Sequence, residues 1–115
     1  MKTSNQFMLL FRFQPNFEYQ PTKEDIAEQQ QLWGKFIGNI AIQEKLIATE
    51  RLGFEGKTVS SDLQESEGIL ISEKLMVSGY MIVKANSLEE AVTMAKDCPI
   101  LKMNGKVEVR PIVPM

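Results

Sequence analysis

The chain has no histidine. That removes the commonest general base and the commonest transition-metal ligand together, so zinc catalysis of the usual histidine-ligated kind is not expected. A single cysteine, Cys98, allows no intrachain disulfide and no Cys-rich metal site. No metal and no cofactor is expected. Long apolar runs are also missing: none approaches the roughly 20 residues that span a bilayer. The opening "MKTSNQFMLLFRFQPNF" carries one lysine and a short apolar run broken by Arg12, too brief for a secretory signal. Excess charge is missing too. Thirteen Lys and Arg stand against 15 Asp and Glu, a net −2, which leaves no electrostatic footprint for nucleic acid or an anionic membrane. The expected location is the cytoplasm, with neither nucleic acid nor membrane as a partner.

What is there is an ordinary soluble composition, 43% apolar and 24% charged over 115 residues. That is one domain, 1–115, large enough for a single core. Near its end, "SGYMIVKANSLEEAVTMAKDCPI" reads as a strand, a capped helix and a stop. Ser87 and Glu90 form a capping box. Leu88, Ala91, Val92 and Ala95 make a narrow stripe of mostly small residues that lets a helix lie close on a sheet. Pro99 forbids continuation. "GKVEVRPIV" follows as a strand, with Val107 and Val109 on one face and Glu108 and Arg110 on the other.

The first half repeats the arrangement. "QFMLLFRF" is a strand with apolar residues on both faces, and such a strand is covered on both sides. "PNFEYQP" is a loop. "TKEDIAEQQQLWGKFIGNIAIQEKL" is a long helix capped by Thr22 with Asp25, and Ile26, Trp33, Phe36, Ile37 and Ile40 form its apolar stripe. Gly34 and Gly38 each cost such a helix about 1 kcal/mol; either they let a neighbouring backbone approach, or nothing else was selected there. "KLIATERLGFEG" is a strand ended by glycines. "KTVSS" and "GILIS" read as a hairpin around "DLQESEG".

The order strand, helix, strand, hairpin, strand, helix, strand gives an α+β fold: a ferredoxin-like sandwich with an added β-hairpin. Its helices lie on one face of the sheet. The other face is apolar and would be left in water unless a second copy covered it, so a homodimer is expected.

"GYMIVKANSLEEAVTMAKDCPI" with "VEVRPI" resembles the C-terminal half of the YCII-related proteins, particularly the branch named for its DGPF motif. "FMLLFRF", "WGKFIG" and "KLIATERLGFEGKTV" fit the layout of that branch, so the resemblance covers nearly the whole chain. It implies a dimeric α+β barrel, two ferredoxin-like subunits with their sheets face to face. Two departures stand out. "EKLMVS" occupies the place of the DGPF motif, and no histidine is present for the histidine–aspartate pair proposed as catalytic in the wider family. The resemblance therefore transfers no catalytic residue.

Four residues are candidates for ligand binding: Arg12, Trp33, Glu50 and Tyr80. The fork of Arg12 matches a carboxylate; the structural alternative, preferred here, is an ion pair with Glu108 directly opposite on the last strand. Trp33 and Tyr80 are positioned either to line a pocket between helix and sheet or simply to form core. Glu50 points either into a pocket or out from an edge. Asp62, Glu65 and Glu67 are read as solvated, since no calcium-loop spacing supports them. Cys98, at a helix C-terminus, is read as unreactive. The reading these features support is a small-molecule binding or sensing homodimer without histidine-based catalysis. The alternatives are an isomerase or lyase that uses Glu, Tyr and Arg groups in a cleft, and a protein-interaction module.

Overall fold

The computed structural model describes residues 5–14 and 20–115. The loop expected at 15–21 lies mostly outside the described residues. Seven strands and two helices follow in order: β1 (Gln6–Phe13), α1 (Lys23–Ile42), β2 (Leu46–Arg51), β3 (Lys57–Val59), β4 (Glu65–Glu67), β5 (Ile71–Ser72), β6 (Leu75–Lys84), α2 (Leu88–Ala95) and β7 (Lys106–Pro111). A short 3-10 turn, Pro99–Met103, joins α2 to β7. The main sheet runs β2-β6-β1-β7 and is antiparallel throughout, with β5 added on β6. Two strand–helix–strand halves interleave their strands in this order, as the ferredoxin-like arrangement requires. None of the helices is long and apolar enough to cross a membrane, among the described residues.

Both helices lie on one face of the sheet. Phe7, Leu9 and Phe11 of β1 and Met81 and Val83 of β6 point toward them, alternating with residues of the other face. Phe36 and Ile40 of α1 and Ala91 and Ala95 of α2 complete this core. Trp33 and Ile37 pack on it half-buried, whereas Ile26 and Leu88, at the ends of their stripes, are exposed. The alanines bring α2 close to the sheet, as their size allows. Gly105 shows how tight the packing is beside the 3-10 turn: an added Cβ would meet the Arg12 carbonyl at 2.6 Å and the Ile100 carbonyl at 2.7 Å.

The helix starts are set by side chains. The Thr22 hydroxyl accepts from the Asp25 amide at 3.1 Å, and the Asp25 carboxylate accepts from the Thr22 amide at 3.1 Å, a complete capping box. Ser87 accepts from the Glu90 amide at 3.1 Å. α1 stops at Ile42, earlier than its sequence pattern, because Glu44 turns left-handed with φ 59°. The amides of Glu44 and Lys45 then close on the carbonyls of Ala41 and Ile40, the role a C-terminal glycine usually fills. Gly34 and Gly38 admit no close neighbour: nothing lies within 4 Å of a Cβ added at either.

The hairpin differs from its sequence reading. β3 pairs with β4 in the register Lys57↔Glu67, Thr58↔Ser66 and Val59↔Glu65, so "ESE" and not "GILIS" is the second strand. The reason is electrostatic and polar. Lys57 Nζ lies 3.5 Å from Glu65 and 3.6 Å from Glu67, and the Asp62 carboxylate accepts from the Gln64 amide at 3.0 Å to shape the turn. Ile71 and Ser72 instead fold back on β6 through a two-residue turn. Its residues Glu73 (φ 54°) and Lys74 (φ 67°) are both left-handed, the hairpin geometry that glycine or asparagine normally marks.

Candidate functional site

The face of the sheet turned away from the helices is built from three rows of side chains. Directly opposed residues share a face. The register therefore places Ala48, Ile82, Met8 and Arg110 in one row and Glu50, Tyr80, Leu10 and Glu108 in the next. Val77, Arg12 and Lys106 form the third. The centre of this face is apolar and its margins are charged. Met8, Leu10, Tyr80 and Ile82 are half-buried rather than covered. With rows about 6.8 Å apart and strands about 4.8 Å apart, the face spans on the order of 400 Å².

Arg12 sits at one end of this surface. Its Nη2 lies 3.1 Å from Glu108 Oε1, with about a third of the arginine side chain exposed. The expected ion pair is present, but not in the expected register. β7 is offset by two residues, so Lys106 lies opposite Arg12 and Leu10 opposite Glu108. An even offset keeps every side chain on its own face, and the long arginine reaches Glu108 diagonally. Glu108 also has Arg110 Nε at 4.0 Å. Lys106 has no ion pair among the described residues.

Beside Arg12 an open cleft of about 400 Å³ is lined by Ser72, Glu73, Leu75, Lys106 and Glu108. The β5–β6 turn forms one wall and the start of β7 the other. The cleft's two cations, Arg12 with a planar fork and Lys106 as a point charge, stand among two carboxylates, Glu73 and Glu108. A second cleft of about 320 Å³ lies between α2 and β7, where Leu88, Val92, Leu101 and Val109 leave only Lys96 as a polar group.

Three of the four sequence candidates share the open face. Glu50 and Tyr80 are directly opposed neighbours, and Arg12 is one row away. The sheet separates Trp33 from them. Its ring meets Phe11 at 5.2 Å and Phe36 at 6.0 Å between centroids, edge to face, so no cleft between helix and sheet holds both Trp33 and Tyr80. The physical reason is parity: Tyr80 alternates with Met81, and only one of the two can face α1. Lys106 escaped the sequence reading because its nearness to Arg12 depends on the two-residue offset of β7. The acidic trio resolves into the turn bond of Asp62 and the two carboxylates around Lys57, and no group of three His, Cys, Asp or Glu side chains is arranged to hold a metal, among the described residues.

Residues 6–115 match the family model described as YCII-related domain. The chain belongs to the YCII-related family. No curated protein matches it. In this YCII-related chain Glu90 and Cys98, both on the helical side, depart from their ordinary values. Lys45 Nζ stands 2.8 Å from Glu90 Oε1, a close approach of charges without hydrogen-bond alignment. It holds the Glu90 carboxyl below the usual carboxylate value, against the opposing cost of desolvation. Burial pushes the Cys98 thiol up to about 11, which leaves it a packing group and not a nucleophile.

Proposed function

We propose that this YCII-related chain is a small-molecule binding or sensing homodimer without histidine-based catalysis. Two sheets meet face to face as a dimeric α+β barrel, and each holds an organic carboxylate beside Arg12 and Lys106, with Tyr80 and Glu50 further along the same face. The observation that carries this reading is the open face itself: an apolar centre, charged margins, and two cations beside one cleft. At about 25 cal/mol per Å², a face of this size left wet forgoes several kcal/mol of burial. The buried thiol Cys98 fits a reducing compartment, in keeping with a cytoplasmic protein.

Within the family we place the chain in the branch named for its DGPF motif, on its closing strand–helix unit and "VEVRPI", with the opening strand and long helix fitting the same layout. The motif's place is taken here by the left-handed turn residues Glu73 and Lys74 and the strand after them. Asp-Gly is the pair such a turn prefers.

Light scattering at micromolar concentration tests the assembly, and melting curves with benzoate as the probe test the site. The expected results are a dimer mass and a rise in melting temperature with benzoate that Arg12→Ala abolishes. A monomer mass overturns the homodimer. A melting temperature that benzoate leaves unmoved, or moves equally in the variant, overturns the carboxylate site.

A further inference from the structure

The cleft between the β5–β6 turn and the start of β7 is lined by charges of both signs, Arg12 and Lys106 against Glu73 and Glu108, a net zero. One cation and one acid are already matched. Arg12 Nη2 lies 3.1 Å from Glu108 Oε1, and Arg110 Nε lies 4.0 Å from Glu108 Oε2, so each oxygen of Glu108 faces a guanidinium. The other two are not matched. Lys106 and Glu73 line the same cleft, yet neither has an ion pair among the described residues, and they stand more than 4.0 Å from each other. Both are held on a fixed backbone. Glu73 begins the two-residue turn, left-handed at φ 54°, a conformation that costs a residue other than glycine about 1 kcal/mol. Lys106 is paired opposite Arg12 in the sheet. Leu75 and Val107 give this cleft an apolar strip.

We infer that this cleft takes a small zwitterion, an α-amino acid with an apolar side chain. The inference rests on the carboxylate site proposed above and names its ligand more closely. A simple anion in the cleft meets the like charge of Glu73, and a simple cation meets that of Lys106. A molecule with both charges meets an opposite charge at each. An α-amino acid carries both on one carbon at neutral pH, and it brings no net charge into a cleft that has none. Its carboxylate lies beside Lys106 and the donors of the Arg12 fork that Glu108 leaves open. Its ammonium, three donors and no acceptor, lies against the carboxylate of Glu73. Its side chain lies on Leu75 and Val107. Size agrees. About 400 Å³ is near the small end of ligand sites, which run from about 300 to 1,000 Å³.

Calorimetric titration with three probes of one shape tests this: L-leucine, 4-methylpentanoate, which lacks the amine, and 3-methylbutylamine, which lacks the carboxylate. L-Leucine is expected to bind about tenfold tighter than either. Glu73→Gln is expected to weaken L-leucine about tenfold and to leave 4-methylpentanoate unchanged or tighter, since only the amine meets Glu73. Lys106→Gln is expected to weaken both carboxylates alike. A second variant covers a turn that glutamine disturbs. Glu73→Gly removes the carboxylate at a φ of 54° that suits glycine, and the same loss of L-leucine is expected. L-Leucine no tighter than 4-methylpentanoate, an amine as tight as L-leucine, or L-leucine indifferent to both Glu73 variants overturns the zwitterion. The carboxylate site then stands wherever 4-methylpentanoate or benzoate still binds. No binding by any of these probes, benzoate included, overturns both.

Discussion

Alanine placed at two kinds of glycine in this chain is expected to act with opposite sign. At Gly79 an added Cβ would lie 2.6 Å from the Glu50 carbonyl oxygen and 3.3 Å from the Arg51 Cα. Both atoms are backbone of the adjacent strand, which its pairing with β6 holds in place. Neither can swing aside as a side chain would. Overpacking of this kind costs about 1–3 kcal/mol. At Gly34, on an exposed stretch of α1, nothing lies within 4 Å. There Gly→Ala removes a helix penalty of about 0.5–1 kcal/mol. A chain of this length unfolds with an entropy that converts 1 kcal/mol into about 4 °C. Gly79→Ala is therefore expected to lower the melting temperature by about 4–12 °C, and Gly34→Ala to raise it by about 2–4 °C. Thermal unfolding followed by circular dichroism reads both. A Gly79→Ala protein that melts at or above wild type would refute the close approach of β2 and β6. A Gly34→Ala protein that melts lower would refute the open surroundings of α1.

Two further outcomes follow from the perturbed groups. The Glu90 carboxyl is held below its ordinary value by Lys45, so its contribution to stability is present above the unfolded carboxylate pKa and is lost as pH falls through the lower folded value. Glu90→Gln is expected to remove this part of the acid-induced loss below about pH 4.3, seen as a shallower dependence of unfolding midpoint on pH; an unchanged slope would show that Lys45 does not bias the carboxyl. Cys98, buried and raised to about 11, is expected to resist a disulfide reagent at pH 8 until the protein is denatured, and rapid stoichiometric labelling of the native chain would contradict its burial.

Much of this architecture was legible because local signals agreed with each other. Thr22 and Ser87 announced their helices, Pro99 closed one, and the alternation in "VEVRP" told which of its side chains face the core. The Arg12–Glu108 pair was legible in parity but not in register, since the two-residue offset leaves the same faces in contact and periodicity cannot see it. The hairpin misled for a different reason. "GILIS" has the composition of a strand, whereas "ESE" does not, and only the charge of Lys57 across the ladder favours the latter. Glu44, Glu73 and Lys74 turn left-handed without the glycine or asparagine that would have marked them. Of the site, Arg12, Glu50 and Tyr80 were legible as candidates, but that they share a face follows only from the strand register. Lys106 needed the register, and Trp33 needed the knowledge of which face α1 covers.

The interleaved strand order also governs how the chain is made. The two central strands come from opposite halves of the sequence: the Ser78 hydroxyl donates to the Phe11 carbonyl across 67 positions. Closing a loop of that length costs about 3.7 kcal/mol beyond a constant before any central contact repays it. During synthesis β1 and α1 leave the ribosome first, and neither β2 nor the hairpin can pair with β1. The greasy opening strand has no sheet to join until β6 emerges. The nascent chain thus carries Phe7, Leu9, Phe11 and Phe13 with only α1 to cover them and no neighbouring strand until β6 emerges, the kind of exposed strand edge that favours aggregation before folding is complete.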